Sequence, residues 1–473
     1  MKRITIDPVT RVEGHAKITI ELDDNGTVAD TQFQVTQVRG FEKFVEGRPY
    51  YEMPGITSRI CGICPISHQL ASAKACDAIM AVRVPPAAKL LRELIHCAQI
   101  FQSHALSFFY LSAPDFLLGM DGDPATRNVL GLIEANPDLA RSGIELRKFG
   151  LQVIEALSEE RVHACWIVPG GVKSPLTSAA RERILAGMPA AAAGLEKALA
   201  LFKSLLDNFR EEIDNFDSAP SMYAGLVDRH GNLQLYDGLL RFRDAAGQIV
   251  QDGIEGESYA SCIGEATLRN SYLKAPYYKP VGYPEGLYRV GPLARLNTAD
   301  QFGTEKADME LLALRQRFGR MPHSAFLYHY ARLLEMTYAL ERIQQLLDTP
   351  AILDTHVRAT AGVNSPEGVG IIEAPRGLLV HHYKVNDDGA MVWANLIVAT
   401  GHNNLAMNRG VLQVARHFVH GEKIEEGMLN RVEALVRAYD PCLSCSTHAA
   451  GQVDLQVELR SPEGVLLDEL RRM

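Results

Sequence analysis

The sequence predicts an α+β fold that is mainly α-helical, with a central helix bundle decorated with small antiparallel β-sheets and hairpins. Long segments carry apolar residues at helical spacing, and shorter ones alternate apolar and polar residues around Gly-containing turns. Two Cys-x-x-Cys pairs lie near opposite ends of the chain. If both pairs bind one metal, the N- and C-terminal segments meet there. Residues 1–473 would then form a single interwoven domain.

The first predicted element is a β-hairpin over residues 15–38, which alternates around the turn at 23–26. Beyond Ile60 the pattern becomes helical, and Pro85 and Pro86 mark the start of a long helix. We expect helices near residues 67–82, 86–112, 139–160, 176–217, 303–318, 324–348, 403–419 and 425–438.

Two later regions predict further hairpins. Residues 220–252 contain turn sequences at 229–232 and 244–247, and residues 368–400 alternate around the turn at 386–389. No low-complexity linker or internal repeat separates these regions, which favours one continuous domain.

Composition and charge exclude several classes of protein. The chain has 473 residues, 47% of them hydrophobic and 22% charged, which is typical of a globular protein. Its net charge of −9 argues against nucleic acid as the main partner. Polar residues interrupt the N-terminal segment at once, and no run reaches the roughly 18 apolar residues of a membrane helix. We therefore expect a cytoplasmic protein with no membrane span.

The eight cysteines fall into two groups. Four stand singly in apolar or helical sequence and are expected to be buried thiols: Cys76, Cys97, Cys165 and Cys262. The others form the two pairs: Cys61 with Cys64, and Cys442 with Cys445. Each pair places two thiolates on one side of a turn. Because thiolate sulfur favours zinc, iron clusters and nickel, the pairs predict a metal site.

The spacing alone leaves several interpretations open. A structural zinc site is one, because four cysteines in two pairs are the usual zinc arrangement, although zinc pairs usually staple a short segment. Disulfide exchange is another, but no thioredoxin-like βαβ pattern surrounds either pair. A nickel- or iron-containing centre is the third.

The residues around both pairs resemble the two signatures of nickel–iron hydrogenase large subunits. The first is RICGIC at residues 59–64, followed by His68, and the second is DPCLSCSTH at residues 440–448. Three further segments resemble the same family, in its order: DPVTRVEGH at 7–15, RGFE at 39–42 and EAPRG at 373–377. The resemblance therefore covers nearly the whole chain.

The resemblance implies a hydrogenase catalytic subunit, which splits H₂ heterolytically and reversibly. The metals would be nickel and an iron that carries carbon monoxide and cyanide. All four paired cysteines would bind nickel, and Cys64 and Cys445 would also bridge to the iron. Cys442, a terminal thiolate, is implied to accept a proton, which Glu13 would relay outward.

Other residues are assigned roles by the same resemblance. Arg376 would overhang the open metal face and hydrogen-bond one cyanide, and Thr400 would hydrogen-bond the other. His68 would orient a bridging cysteine, and Asp440 would pair with an arginine near the site. Many membrane-bound relatives have His-Asp-His where this chain has Gln102, Ser103 and His104, so no catalytic role is carried onto Ser103.

A second metal site is implied near the C-terminus. Glu42, His448 and a backbone carbonyl within residues 395–400, assigned to Leu396, would bind a structural magnesium. The family also removes a C-terminal peptide just after the corresponding histidine, once nickel is in place. Residues 449–473 are therefore expected to be a propeptide, removed by a maturation protease after nickel-insertion factors have acted.

The chain lacks parts that electron transfer to a nucleotide requires. It contains no further cysteine cluster for iron–sulfur centres and no dinucleotide-binding fingerprint. Segments 39–45, 128–137 and 445–449 are most similar to the soluble, NAD-reducing (bidirectional) subgroup. The resemblance thus implies two kinds of partner: flavin- and NAD-binding diaphorase subunits, and a small iron–sulfur subunit.

Three alternatives to this function remain at the level of the sequence. One is the large subunit of a deazaflavin- or heterodisulfide-linked hydrogenase, which only the partner subunits would distinguish. The others are a zinc-stapled binding protein and a complex-I-type scaffold subunit, which lacks the cysteine pairs.

Overall fold

The computed structural model describes residues 2–268, 270–420, 423–448, 455–461 and 465–472. Its helices and small, mostly antiparallel sheets confirm the predicted fold class. The helices of these residues are α1 (Phe41–Phe44), α2 (Met53–Thr57), α3 (Pro65–Met80), α4 (Pro86–Ala105), α5 (Ala113–Leu117), α6 (Val129–Ala135), α7 (Pro137–Ser158), α8 (Ser178–Leu205), α9 (Arg210–Asn215), α10 (Pro292–Thr298), α11 (Glu305–Phe318), α12 (Tyr328–Asp348), α13 (Ala399–His402), α14 (Asn404–Phe418), α15 (Glu426–Tyr439) and α16 (Leu443–Ser446).

The strands form several separate small sheets. They are β1 (Lys2–Ile6), β2 (Ala16–Leu22), β3 (Val28–Val35), β4 (Ile167–Val168), β5 (Gly171–Val172), β6 (Met222–Val227), β7 (Leu239–Arg243), β8 (Ile249–Ile254), β9 (Ile263–Leu268), β10 (Ser271–Tyr278), β11 (Tyr288–Arg289), β12 (Glu367–Ala374), β13 (Gly377–Val385), β14 (Met391–Ile397), β15 (Leu455–Arg460) and β16 (Leu466–Arg472). The sheet orders are β1-β2-β3, β4-β5, β11-β6-β7-β8, β10-β9, β12-β13-β14 and β15-β16.

The centre of the bundle consists of α4, α7, α8 and α12, which pack on one another. On α4, helical spacing turns Leu91, Leu94 and Ile95 into the core, where they are fully buried. Pro86 lies in the first turn of α4, where its missing N–H leaves no intrahelical bond unmade.

The helix predicted over residues 86–112 changes its winding before it ends. It is α-helical to Ala105 and π-helical from Leu106 to Ser112. The Leu111 carbonyl accepts a hydrogen bond of 2.7 Å from Arg11 Nη1. The π-helical turn thus anchors the N-terminal segment that carries Glu13.

Helix α3 and strand β12 approach closely because two glycines of the strand face the helix. A Cβ on Gly370 would lie 1.9 Å from the Ala71 carbonyl oxygen, and one on Gly368 would lie 2.2 Å from that of Ala75. No other residue allows this approach without a backbone shift. The contact joins the helix that follows Cys64 to the sheet that carries Arg376.

The predicted hairpins are found, with additions. β2 and β3 pair around residues 23–26, and β12, β13 and β14 form an antiparallel sheet over the second predicted region. β6, β7 and β8 occupy the region 220–252. The pair β9–β10 was not predicted from the sequence, nor was the strand β1 that extends the first hairpin.

One helical segment, Ser178–Asn215, is long and apolar enough to cross a membrane by length and composition, with a mean hydropathy of 1.4 over its most apolar window. Glu196 and Lys197 interrupt it, so it contains no unbroken run of the roughly 18 apolar residues expected of a membrane helix. Both criteria are weak evidence for a span, because core helices also meet them. Here α8 packs against α7 and α12 through Ile184, Leu195 and Phe202.

The two ends of the chain meet, as predicted. Glu13 forms a parallel bridge with Cys442, and the amides of Arg39 and Gly40 donate to the Thr447 carbonyl. Beyond His448, strands β15 and β16 form a hairpin. Residues 449–454, the first part of the expected propeptide, lie outside the described residues.

Candidate metal centre

The first cysteine pair lies on the loop that leads into α3. Cys64 precedes the helix and Pro65 opens it. The backbone amides of Ile63 and Cys64 donate to Cys61 Sγ over 3.2 and 3.3 Å. These amides stabilise negative charge on the Cys61 sulfur, which suits a thiolate ligand.

The second pair lies where α15 ends and α16 begins. Asp440 adopts a left-handed conformation, with φ of 54°, and so ends α15. The Cys442 amide donates to Thr400 Oγ1 over 2.8 Å. Thr400 thus contacts the backbone of a predicted metal ligand, in addition to the cyanide role expected of it.

The fold brings all four sulfurs together. They lie within 4.8 Å of one another and all four residues are buried. Cys61 Sγ is 3.4 Å from Cys442 Sγ, and Cys64 Sγ is 3.7 Å from Cys445 Sγ. Two sulfurs from each end of the chain therefore face a common point, as the spacing predicted.

The surroundings shift the pKa values of the four cysteines in different directions. Hydrogen bonds from the neighbouring thiols lower the pKa of Cys64, whereas burial raises the pKa of Cys442 and Cys445. Four buried sulfurs cannot all ionise unless a cation neutralises them. A soft divalent metal provides that charge, so the donor set fits nickel and equally fits zinc.

A small cavity of about 10 Å³ lies beside three of the sulfurs. Its lining includes Cys64, Cys442 and Cys445, with Arg376 and Thr400. Arg376 and Thr400 therefore lie next to any metal that these sulfurs hold.

Arg376 lies on the two-residue turn between β12 and β13, against the cavity. Its Nε donates to the Asp440 carbonyl over 2.7 Å, and its Nη2 to Asp440 Oδ1 over 3.0 Å. Its Nη1 donates to Ser103 Oγ over 3.3 Å. Although burial lowers its pKa, Asp440 and the cysteine sulfurs raise it well above the ordinary value, so the group remains cationic. The sequence predicted an arginine partner for Asp440, and that partner is Arg376.

Glu13 is half-buried and lies beside Cys442. Its Oε2 is 3.1 Å from Cys442 Sγ and accepts the Ser444 amide at the same distance. The Leu443 amide donates to the Glu13 carbonyl over 3.1 Å. A single carboxylate oxygen thus lies within hydrogen-bond reach of one of the four sulfurs.

His68 lines the cavity and contributes a hydrogen bond that lowers the pKa of Cys64. Its Nδ1 also lies 3.1 Å from His381 Nε2, and His381 Nδ1 lies 2.6 Å from the Tyr383 hydroxyl. His381 and Tyr383 were not predicted from the sequence. Both lie two positions apart on β13 and so face the same side of the strand, and this alternation could have predicted that both are buried.

Of the residues assigned to magnesium, Glu42 and Leu396 are in contact. The Leu396 amide donates to Glu42 Oε1 over 2.9 Å, and the Lys274 ammonium donates to the same oxygen over 3.1 Å. Burial raises the Glu42 pKa, while Lys274 lowers it. Lys274 was not expected here from the sequence.

His448 is buried, with its ring edge-on to Phe41 at 5.4 Å between centroids. Neither ring nitrogen has a hydrogen-bond partner among the described residues. Burial lowers its pKa to about 3, so the ring is neutral. A neutral imidazole with a free buried nitrogen is able to ligate a metal.

The fold and this thiolate centre define a class of metalloenzyme, which comparison with known proteins identifies. Residues 39–125 and 236–448 match the nickel-dependent hydrogenase family, and residues 3–38 match the HoxL-like family. The chain belongs to the nickel-dependent hydrogenase family. This confirms the resemblance drawn from the motifs and rules against the zinc-stapled and scaffold alternatives.

Individual relatives are similar over most or all of their length. The NAD-reducing hydrogenase HoxS subunit beta of Cupriavidus necator is 42% identical, covering 100% of both chains. An F420-non-reducing hydrogenase (vhu) subunit of Methanococcus voltae is also 42% identical, over 88% of this chain and 98% of its own. A solved NAD⁺-reducing [NiFe]-hydrogenase in the H₂-reduced state superimposes with a TM-score of 0.91 at 45% identity, covering 95% of this chain and 100% of that one.

Proposed function

We propose that Cys61, Cys64, Cys442 and Cys445 hold a nickel–iron centre at which this chain splits and forms H₂. The observation that carries this is the set of four buried sulfurs, with Arg376 and Thr400 beside them, in a member of the nickel-dependent hydrogenase family. When bound, the centre polarises H₂ and supplies the open coordination position. The iron would carry carbon monoxide and cyanide.

Infrared spectroscopy combined with elemental analysis of the purified holoenzyme tests this centre. We expect nickel and iron in equal amounts, together with the stretching bands of bound carbon monoxide and cyanide. Zinc alone, without these bands, would contradict the proposal.

Different residues of the chain would transfer the proton and polarise the substrate at this centre. Cys442 would accept the proton that leaves H₂, and Glu13 Oε2, 3.1 Å from its sulfur, would carry it outward. Arg376, held by Asp440, would keep a positive charge over the cavity and polarise what enters it. Thr400 and Arg376 line the cavity and offer hydrogen bonds to the cyanides.

Magnesium is proposed at Glu42, His448 and the Leu396 carbonyl. The free buried nitrogen of His448 and the half-buried carboxylate of Glu42 support this assignment. Lys274 already offers Glu42 a positive charge, so a cation there must share the carboxylate with it. Elemental analysis of Glu42→Gln should show magnesium lost; magnesium at the wild-type level would overturn the assignment.

The electron acceptor is proposed to be NAD, reached through partner subunits. The relative from Cupriavidus necator is named as NAD-reducing and is matched over its whole length. An iron–sulfur subunit would dock beside the Cys61 loop, where Phe44 and Tyr51 are 55% and 59% exposed and border a groove with Arg59. Diaphorase subunits with flavin would then reduce NAD in the cytoplasm.

A heterodisulfide-linked hydrogenase is the second candidate, because a relative of the same identity is named F420-non-reducing rather than NAD-reducing. Co-purification with a tag on this chain separates the two. Diaphorase subunits and H₂-dependent NAD⁺ reduction are expected. Their absence, with activity only toward artificial dyes, would favour the second candidate.

Residues 449–473 are proposed to be a propeptide, cleaved after His448 or within a residue of it by a maturation protease once nickel-insertion factors have loaded the centre. The match to the nickel-dependent hydrogenase family ends at residue 448, and His448 is buried, which supports a new terminus there. Intact-mass measurement of active enzyme should give a chain ending near 448. Fully active enzyme retaining Met473 would refute the cleavage.

A further inference from the structure

We propose that Arg295 is a positioning residue for Arg376, and that it fixes the turn from which Arg376 reaches over the metal cavity. This inference rests on the proposed function, since it assigns a purpose to the placement of Arg376. Arg295 lies on α10, is fully buried, and does not line the cavity.

All five N–H groups of the Arg295 guanidinium have acceptors. Its Nε and Nη2 donate to the two carboxylate oxygens of Glu335, each over 2.6 Å. Its Nη1 donates to Glu373 Oε2 over 2.8 Å. The remaining two N–H groups donate to the carbonyls of Ala374 and Pro375, over 2.9 and 3.0 Å. The two peptides immediately before Arg376 are therefore held by a planar fork that cannot rotate without losing several bonds at once.

The other side of the same turn is held by close backbone packing. A Cβ on Gly291, the residue that precedes α10, would lie 2.6 Å from the Arg376 carbonyl oxygen. A Cβ on Gly377 would lie 2.4 Å from Val290 Cγ2 and 2.7 Å from the Gly291 amide. Both glycines have positive φ values, of 95° and 134°. The start of α10 and the Arg376 turn thus fit each other only in this arrangement.

Further hydrogen bonds connect Glu335, the partner of Arg295, to the helix whose Ser103 binds the Arg376 side chain. Glu335 Oε2 accepts a hydrogen bond from His104 Nε2 over 2.7 Å. Ser103, next to His104 on α4, accepts from Arg376 Nη1. Ser103 carries no charge, so Asp440 is the ion-pair partner that the described residues give Arg376. With one ionic tether, the orientation of Arg376 depends more strongly on how its turn is held.

The test compares Arg295→Lys with the wild-type holoenzyme, purified with its partner subunits. Lysine keeps the charge but has three donors on one nitrogen, so it cannot bind both carboxylates and both carbonyls. We expect normal nickel and iron content, shifted cyanide stretching bands, and kcat for H₂ oxidation lowered about tenfold. Glu335→Gln, which preserves side-chain volume, should shift the bands in the same direction. If Arg295→Lys does not fold, Glu335→Gln still tests the inference.

A double-mutant cycle with Arg376→Lys separates positioning from general destabilisation. If Arg295 acts through Arg376, adding Arg295→Lys to Arg376→Lys should lower kcat by no more than about twofold. Arg92→Lys is the matched control, because Arg92 is equally buried and ion-paired, with Asp77, and donates to no residue of this turn or of α10. It should lower stability and leave the cyanide bands in place.

Unchanged cyanide bands in both Arg295→Lys and Glu335→Gln, or kcat effects that simply multiply in the cycle, would overturn the positioning role. Failure of the proposed function looks different. In that case the wild-type protein itself would lack the bands and H₂ oxidation.

Discussion

Cys442 and Glu13 are the two residues to which we assign the transfer of the proton that leaves H₂. Cys442 offers a buried sulfur with a raised pKa, and Glu13 offers one oxygen that is also bound by the Ser444 amide. The carboxylate is fixed by backbone bonds at the point where the two chain ends pair. Both assignments lead to direct tests by substitution.

The first prediction concerns the metal ligands. Cys61→Ser should abolish H₂ turnover and remove most of the nickel, because a hydroxyl is a poor ligand for a soft metal. Cys97→Ser is the matched control, since Cys97 is equally buried but lies in the middle of α4. Nickel content and activity are measured together. Full activity in Cys61→Ser would show that this sulfur is not a ligand.

The second prediction concerns proton transfer. Glu13→Gln should retain nickel and iron yet lose most H₂/D⁺ exchange, because an amide cannot take up and release the proton. Glu21→Gln, on β2 eight residues after Glu13 but ion-paired with Arg3, should exchange at the wild-type rate. Normal exchange in Glu13→Gln would mean that the proton leaves by another route.

At the scale of elements, the pairing of α3 with β12 determines where the two halves of the site meet. α3 follows Cys64 directly, and β12 leads into the Arg376 turn. Gly368 and Gly370 set their separation. Any residue that pushes these elements apart moves Arg376 away from the sulfurs.

The third prediction tests this packing. Gly370→Ala should lower the free energy of unfolding by about 1–3 kcal/mol, because the added Cβ would meet the backbone oxygen of Ala71. Urea unfolding measures the loss. Gly362→Ala is the control, since a Cβ there meets nothing within 4 Å. Equal stability of the two variants would show that the approach of α3 to β12 tolerates a side chain.

Most elements could be predicted from periodicity, and the exceptions have a physical cause. The eight predicted helices were located to within a few residues, whereas short ones such as α6 and α10 were not predicted. The turns at 23–26 and 386–389 were correct because their residues favour turns locally. The β9–β10 pair was missed because Pro276 lies within residues 271–278, and a proline argues against a regular strand. Lys274 on β10 forms ion pairs with Glu265 on β9 and with Glu42, which lies far away in sequence.

At the scale of the whole molecule, buried charge couples stability to pH. Burial raises the pKa of Glu373 to about 7, against the opposing effect of Arg295, while Glu335 stays ionised on the same guanidinium. Leu226 N–H also binds Glu373, and His104 and His96 face the cluster with pKa values lowered to about 4. Glu373 is therefore the group of this cluster that titrates near neutral pH.

The fourth prediction follows from that shift. The folded protein holds a proton on Glu373 that the unfolded chain releases above its ordinary pKa of 4.5. Stability from this group is present below pH 4.5 and is lost as pH rises through about 7, by about 3 kcal/mol at most. Glu373→Gln should remove this decline from denaturation midpoints measured between pH 5 and 8. Parallel curves for the variant and the wild type would contradict it.

The sequence by itself determined the set of four cysteines that assemble and most of the local structure. Cys-x-x-Cys spacing, helical periodicity and turn residues act over a few positions, so the sequence alone reveals them. Only the tertiary structure identified Lys274 beside Glu42, His381 behind His68, and Arg295 behind the Arg376 turn. Taken singly, each is an ordinary polar residue. Its role depends on burial and on partners tens to hundreds of positions away, which no local pattern contains.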